Sequence, residues 1–443
     1  MCAGVDGVGL GCIRFGRSVQ SAKAFRRGVA ALSPPGGNEL AGETVAVEEP
    51  AMTVQKRVLT DVRAGRWLDE YDSAADQTLL IDDSLRVRKR RLYGGKSDGV
   101  DVIVLQSGTL SVWLLPTRGM GVWKALCGDV DLSWQSPVEF PVHPALVDLQ
   151  DRGGLGWLNG FNELLCRCGL SFNGPPGVDR RPLPGGGVAE STVTLHGRIA
   201  NIPAHHVEIE VGGLGEEVSV IGMVEEASMF GPRMQLSARY TVRKGSEVLE
   251  IEDEVVNLGG QPAELELLYH INLGPPLLGH GARVVGPFRT VCPRDVRAAE
   301  DVATWNEYRG PTPGYAEQVY FMDFDAEQEA VEPLLIDPRG QRAFGVRFDP
   351  RQLPCFTLWK NTQLEADGYV TGLEPATNYP NFIGFEREQG RVRILQPGDA
   401  FQCRLELRPY LSEQAVAEAV ERSGGEQPRV LSAPTLPYAP AAT

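Results

Sequence analysis

A chain of 443 residues with 42% hydrophobic content can bury a large core, either as one big β unit or as two smaller domains. Its net charge of −15 and pI near 5.0 leave no basic footprint beyond the N-terminus, which argues against nucleic acid and for a neutral small-molecule partner. No run of about 18 apolar residues exists to span a membrane as a helix.

The first fifty residues are Gly-rich and carry the basic block Arg14, Arg17, Lys23, Arg26 and Arg27 without the apolar stretch of a secretory signal. Residues 1–51 are expected to be disordered or an extension ahead of a true start at Met52, with a transit peptide as the second option. Gly7, Gly9 and Gly11 echo a phosphate loop, but no strand precedes them and no helix pattern follows. The eight cysteines lack the spacing of a disulfide framework and read as reduced cytosolic thiols. Cys166 and Cys168 are one residue apart, too close for a zinc knuckle, so no metal is expected.

From Asp101 short strand patterns alternate with turns: DVIVL, TLSVWLL, GVWKAL and DVDLSW. A loop-rich segment from Pro137 to Gly187 holds GLGWLNGFNELLCRCGL, and loops this long in a compact fold are usually functional. Strand patterns resume with STVTLHGRI, HHVEIEV, EVSVIGMV and a hairpin over Arg239–Asn257 turned at Lys244-Gly245. They continue with LELLYHINLG, EQVYFMDF, QRAFGVRF, CFTLWKN, GYVTGLEP, FIGFERE and QCRLELRPYL. One helix is expected over Glu413–Arg422, capped by Ser412 and ended by Gly424, and a weaker one near Pro144–Gln150. This pattern predicts an all-β protein, a large antiparallel β-sandwich over 54–411, followed by the helix and a Pro/Ala-rich tail over 412–443. The tail reads as an extended strap or disorder.

In LELLYHINLG, Leu265, Leu267, Tyr269, Ile271 and Leu273 share one face of a strand, while Glu266, His270 and Asn272 lie on the other. That alternation predicts a half-buried sheet whose second face works on a ligand. STVTLHGRI repeats it, with His196 and Arg198 on the polar face. In TGLEPATNYPN, Glu374 is followed by Pro375, which removes a ladder donor and predicts that the strand stops there, with the carboxylate at the sheet's rim. Asn378 and Tyr379-Pro380 are expected to form a turn that braces it.

HGRI, YHINLG and GLEPATNYPN, in that order and at long spacing, resemble the three signature segments of the galactose mutarotase-like superfamily. WLNGFNELLCRCGL and PTRGMGVW resemble a branch of aldose-epimerase-like proteins known by a domain of unknown function. The resemblance implies a β-sandwich with a concave face for a monosaccharide and an isomerase, an aldose 1-epimerase, with no metal or nucleotide cofactor. It implies His270 as the acid that protonates the ring oxygen and Glu374 as the base on the anomeric hydroxyl, standing on either side of the sugar. His196 and Arg198 would hold hydroxyls, with Asn272 and Asn162 as further substrate contacts and Glu317 where the epimerases place an aspartate. Ordinary titration near pH 6.5 for a histidine and 4.3 for a glutamate would suit those roles at neutral pH. Tryptophans 157, 305 and 359 are candidates to stack on the sugar. Two other functions fit the same fold: a sugar-binding regulator without turnover, and a lyase or glycoside hydrolase with Glu163 or Glu317 as a second carboxylate.

Overall fold

A computed structural model describes residues 54–182, 185–425 and 427–440. The N-terminal basic block, the Gly7–Gly11 segment and Met52 lie outside the described residues, as do the last three positions of the tail. Two large sheets dominate. Among the described residues, one has ten strands and the other fourteen, and a separate two-stranded ribbon pairs Gly177–Pro182 with Val188–Val193. Pairing is antiparallel almost throughout, as expected for a sandwich built from hairpins.

Five strands of the larger sheet matter for function: β1 (Leu165–Leu170), β2 (Ala263–Leu273), β3 (Gln318–Phe324), β4 (Cys355–Asn361) and β5 (Val370–Ala376). They lie side by side in the order β3-β4-β5-β2-β1. On β2, Leu265, Leu267, Tyr269, Ile271 and Leu273 enter the core between the two sheets, as the alternation predicts. The opposite face is not open. Glu266 and Asn272 are fully buried and His270 is nearly so, because the segment Gly154–Phe161 and the side chain of Trp359 cover it.

A charged pair sits inside the inter-sheet core. Arg167 on β1 forks onto Asp253 of the facing sheet, Nε to Oδ2 at 2.5 Å and Nη2 to Oδ1 at 2.7 Å. Tyr240 and Tyr269 complete the group, their hydroxyls 2.7 Å from Arg167 Nη1 and 2.6 Å from Asp253 Oδ2. All four side chains are excluded from water or nearly so, so each charge depends on the other for solvation.

The late helix forms as the caps predict. It is α1 (Glu413–Ser423), with Ser412 Oγ accepting from the Ala415 N–H and Gly424 at its end. Val416 and Ala419 pack it onto Leu334, Ile336 and Ala343. Three sequence expectations need correction. FIGFERE is not a strand but a short helix, Ile383–Glu388, in which a fully buried Glu386 binds Arg391 at 2.6 Å; a strand would have broken that pairing. The weaker helix near Pro144–Gln150 reduces to one 3-10 turn, Pro144–Leu146, capped by His143. DVDLSW shrinks to a two-residue strand, Val130–Asp131.

The described part of the tail is a strap. Arg429–Val430 adds a parallel strand beside Phe288–Pro293, and Ala439 packs into a cluster with Tyr379 and Phe321. Asn381 Nδ2 donates to the Tyr438 carbonyl at 2.9 Å. All six cysteines among the described residues are free and buried. No described helix is long and apolar enough to cross a membrane.

Removing one partner of the Arg167–Asp253 pair strands a buried charge. Arg167→Met is expected to lower unfolding free energy by about 3–5 kcal/mol. Denaturant melts would show this as a fall in midpoint, whereas an Arg167→Met, Asp253→Leu double variant should recover much of the loss.

Candidate active site

The motif segments converge on one cavity of about 710 Å³ in the larger sheet. Its floor is the outward face of β2, β4 and β5, and its cover comes from the long loop that carries Trp134, Trp157 and Phe161.

Register explains why His270 meets Glu374. β2 and β5 pair at Leu268–Ala376 and at Ile271–Leu373. Counting inward from either pair puts His270 opposite Glu374 and Tyr269 opposite Pro375, yet neither of these is a ladder pair. Proline has no N–H to give, so the ladder opens there. The strand does not stop at Pro375 as the sequence predicts; it runs on to Ala376 because its other edge stays paired with β4. Glu374 therefore lies in mid-sheet, 2% exposed, and not at the rim. Its Oε1 is 3.3 Å from His270 Nε2, and that oxygen has no hydrogen-bond partner. Gly372 leaves room for the carboxyl, since a Cβ there would stand 2.2 Å from Oε1.

Asn272 sits behind the histidine, not in the cavity wall, and so is not placed to bind a ligand. Its Nδ2 donates to the carbonyls of Glu163 at 2.9 Å and His270 at 3.1 Å. With its amide nitrogen fixed by two acceptors, its Oδ1 must be the atom facing His270 Nδ1 at 2.7 Å. Nδ1 then carries the proton, and Nε2 of the neutral ring faces Glu374 as a bare lone pair.

His196 is not on a strand. The ribbon strand ends at Val193, and His196 and Gly197 both take left-handed conformations, φ 58° and 71°. A Cβ on Gly197 would fall 2.2 Å from the Phe172 carbonyl oxygen, so only glycine fits the second position. The turn swings His196 over the cavity, where its ring packs edge-on against Trp157 at 4.7 Å and His270 at 5.4 Å. Its Nδ1 donates to the Asn173 carbonyl at 2.8 Å. The same turn sends Arg198 away, exposed and lining a separate cleft with Arg181 and Glu226. The alternation read for STVTLHGRI fails here because it assumes an extended chain.

Glu317 does line the cavity. It accepts from Arg294 Nη2 at 3.0 Å and from the Trp359 indole at 2.7 Å. Asn162 does not line it; its Nδ2 ties down the Val138 carbonyl at 3.0 Å. Trp157 and Trp359 face the cavity, whereas Trp305 packs in the core against Phe288. Asn378 braces indirectly, pairing amide to amide with Asn173, the residue whose carbonyl holds His196. Glu266, on the same face as His270, accepts the Asn173 N–H at 2.9 Å.

Thr357 and Asn361, which the sequence reading overlooked, also line the floor. A signal was present, because Cys355, Thr357, Trp359 and Asn361 alternate along β4, and Thr357 pairs directly with Glu374. Four wall atoms are buried without a partner: Trp157 Nε1, Thr357 Oγ1, Asn361 Oδ1 and Glu374 Oε1. Leaving buried polar atoms unmet costs about 1–3 kcal/mol each, and four of them lie around this one cavity.

Burial dominates the electrostatics. It pushes His270 down to about 3, helped by the charge of His196 and opposed by the Asn272 bond. Burial raises Glu374 well above its usual range, and nearby Cys168 and Glu317 add to that. For His196 burial acts downward, but the charge and hydrogen bond of the Cys168 sulfur, with the Asn173 carbonyl, outweigh it and raise it. The ordinary titration values expected from sequence do not hold. Both shifts favour placing the pair's shared proton on Glu374, with His270 neutral.

The family described as "Domain of unknown function (DUF4432)" matches residues 97–408. A crystal structure from Klebsiella pneumoniae, of a protein provisionally designated an aldose 1-epimerase, is 32% identical. The alignment covers 86% of this chain and 99% of that one, with a TM-score of 0.79. A galactose mutarotase-like protein from Clostridium acetobutylicum is 15% identical over 74% of this chain and 100% of its own. Its TM-score of 0.51 shows a shared fold. No curated protein sequence matches the chain.

Nitrogen NMR of the imidazoles tests the proton assignment. His270 should show the neutral Nδ1–H form from pH 5 to 8, and Asn272→Ala should shift the ring toward Nε2–H. Titration of wild-type His270 near pH 6.5 would refute it.

Proposed function

The chain belongs to the DUF4432 family, and from that premise we propose that it is an aldose 1-epimerase-like enzyme that interconverts the anomers of a sugar. One observation carries the reading: a buried imidazole and a buried carboxyl, 3.3 Å apart, with their reactive atoms turned toward each other on a cavity floor.

The chemistry needs one proton added and one removed around a single carbon. The two oxygens concerned, the ring oxygen and the anomeric hydroxyl, are both bonded to C1. A donor and an acceptor side by side can therefore serve them, and the pair need not straddle the sugar as the sequence reading assumed. In ring opening, Glu374 takes the hydroxyl proton as C1=O forms, the bond from C1 to the ring oxygen breaks, and that oxygen takes the proton from His270 Nε2. Rotation about C1–C2 presents the other carbonyl face. In closure Glu374 returns a proton to the carbonyl oxygen while Nε2 accepts one from the attacking hydroxyl.

Opening thus leaves His270 neutral and Glu374 protonated, the distribution that burial favours. A single proton serves both directions, and sugar hydroxyls supply the polar surroundings in which it can sit on His270. Glu317, Thr357 and Asn361 line the cavity and would hold hydroxyls, and Trp157 and Trp359 would cover the ring. Glu163 does not line the cavity and is paired with Arg118 at 2.6 Å, which counts against a hydrolytic role for it.

The test is anomer exchange by NMR across a panel of free aldoses. Positioned acid–base catalysis contributes about 10²–10⁴-fold, so Glu374→Gln and His270→Ala should each lose at least about 100-fold in kcat/KM. Unchanged exchange in both would remove these roles, and sugar binding without exchange would favour a regulator.

The pH profile follows from the proton count. Activity falls when the pair gains a second proton, below the lowered His270 value of about 3, or loses its only one, above the raised Glu374 value. No acid limb is expected in kcat/KM near pH 6.5, and the decline lies on the alkaline side; an acid limb near 6.5 would contradict it.

A further inference from the structure

The cavity is too large for the ligand that the epimerase reading requires at minimum. A hexopyranose has about twelve heavy atoms, and at the roughly 30 Å³ that one water occupies in the liquid, a generous allowance per atom, it fills on the order of 360 Å³. The cavity measures about 710 Å³. About half of it is left for something else.

The walls describe that remainder by chemistry. The unpartnered polar atoms belong to the floor strands β4 and β5 and to Trp157 beside them. The rest of the lining mixes polar side chains, among them Ser136, Gln363 and Asp367, with one hydrocarbon patch from the covering loops: Pro137 and Val138, Leu155 and Leu158, Pro175 and Leu195. A second polar ring would leave most of its hydroxyls against these side chains without partners. Charge narrows the choice further. The two lining arginines are both occupied, Arg152 by Asn159 at 2.9 Å and Asp151 at 3.6 Å, and Arg294 by Asp295 at 2.8 Å and Glu317 at 3.0 Å. Neither arginine is therefore free to neutralise a phosphate, sulfate or carboxylate on the substituent.

Resting on the epimerase reading, we propose that the substrate is an uncharged sugar bearing an apolar aryl or alkyl substituent at a carbon other than C1. The sugar ring lies on the floor between Glu374, Thr357 and Asn361. The substituent lies against the wall made by Val138, Leu155, Leu158 and Leu195. C1 stays unsubstituted because its hydroxyl must lose a proton.

The full chain would be assayed with glucose, galactose and mannose, and with their 4-O- and 6-O-benzyl ethers, for anomer exchange by NMR and for binding by calorimetry. At roughly 25 cal/mol per Å² of apolar surface, burying even part of a benzyl group corresponds to at least about a tenfold gain. At least one ether should exceed its parent tenfold in kcat/KM or affinity. Leu158→Asp, a change at a residue 39% exposed, should erase that gain while leaving the parent sugar's exchange as it was. Ethers no better than parents in either measurement overturn the inference; exchange of the parents would then leave the epimerase reading standing. Preferential binding of an ether without exchange, by wild type and Glu374→Gln alike, keeps the ligand class and removes the epimerase reading. Neither binding nor exchange of any compound removes both.

Discussion

The buried pair of Arg167 and Asp253 fixes which way the site faces. Side chains on a strand alternate, so a slip of one residue would turn every one to the wrong side. In most sheets hydrophobicity alone resists this, and β2 offers apolar residues on both faces. A guanidinium that can be solvated only by one carboxylate across the core is a far stricter constraint. With Arg167 turned inward, Cys166 and Cys168 turn outward. Tyr269, paired with Arg167 across the strands and bonded to Asp253, turns inward too, and so His270 must face the cavity.

From there the polar residues of β2 divide their labour. Glu266 holds Asn173, and Asn173 holds His196; Asn272 holds His270 and selects its tautomer. None of the three needs to touch a ligand to matter. The result is a cavity in which burial favours a protonated glutamate and a neutral His270, beside a His196 whose proton affinity is raised. A fully ionised pair would need the solvation that burial denies it.

Much of this was legible in the sequence wherever the chain is regular. The parity of LELLYHINLG correctly separates core from cavity, and Ser412 and Gly424 delimit the helix as read. Reading fails where the chain leaves extended geometry or where sequence distance hides contact. The left-handed turn at His196-Gly197 splits His196 from Arg198, which parity had joined. Pro375 reads as a strand end, but a strand paired on its other edge tolerates it. Asn272 reads as a ligand contact because its face is right; only the three-dimensional positions of two carbonyls show that its amide is already spent. The titration shifts were out of reach for the same reason, since they depend on cover supplied by residues far away in the chain, Trp157 and Trp359.

The C-terminal strap bears on how the protein is made. Residues 429–439 lie against the strand at Phe288–Pro293 and against Tyr379, and Asn381 in the turn after Glu374 is held by the Tyr438 carbonyl. During synthesis β1 and β2 leave the ribosome long before β5, and the strap that steadies the turn beyond β5 leaves later still. Until then the edge at Phe288–Pro293 and the apolar surface around Phe321 and Tyr379 stay open to other chains. A nascent chain stalled before the strap would therefore hold a nearly complete sandwich with a sticky margin, a species for chaperones to guard.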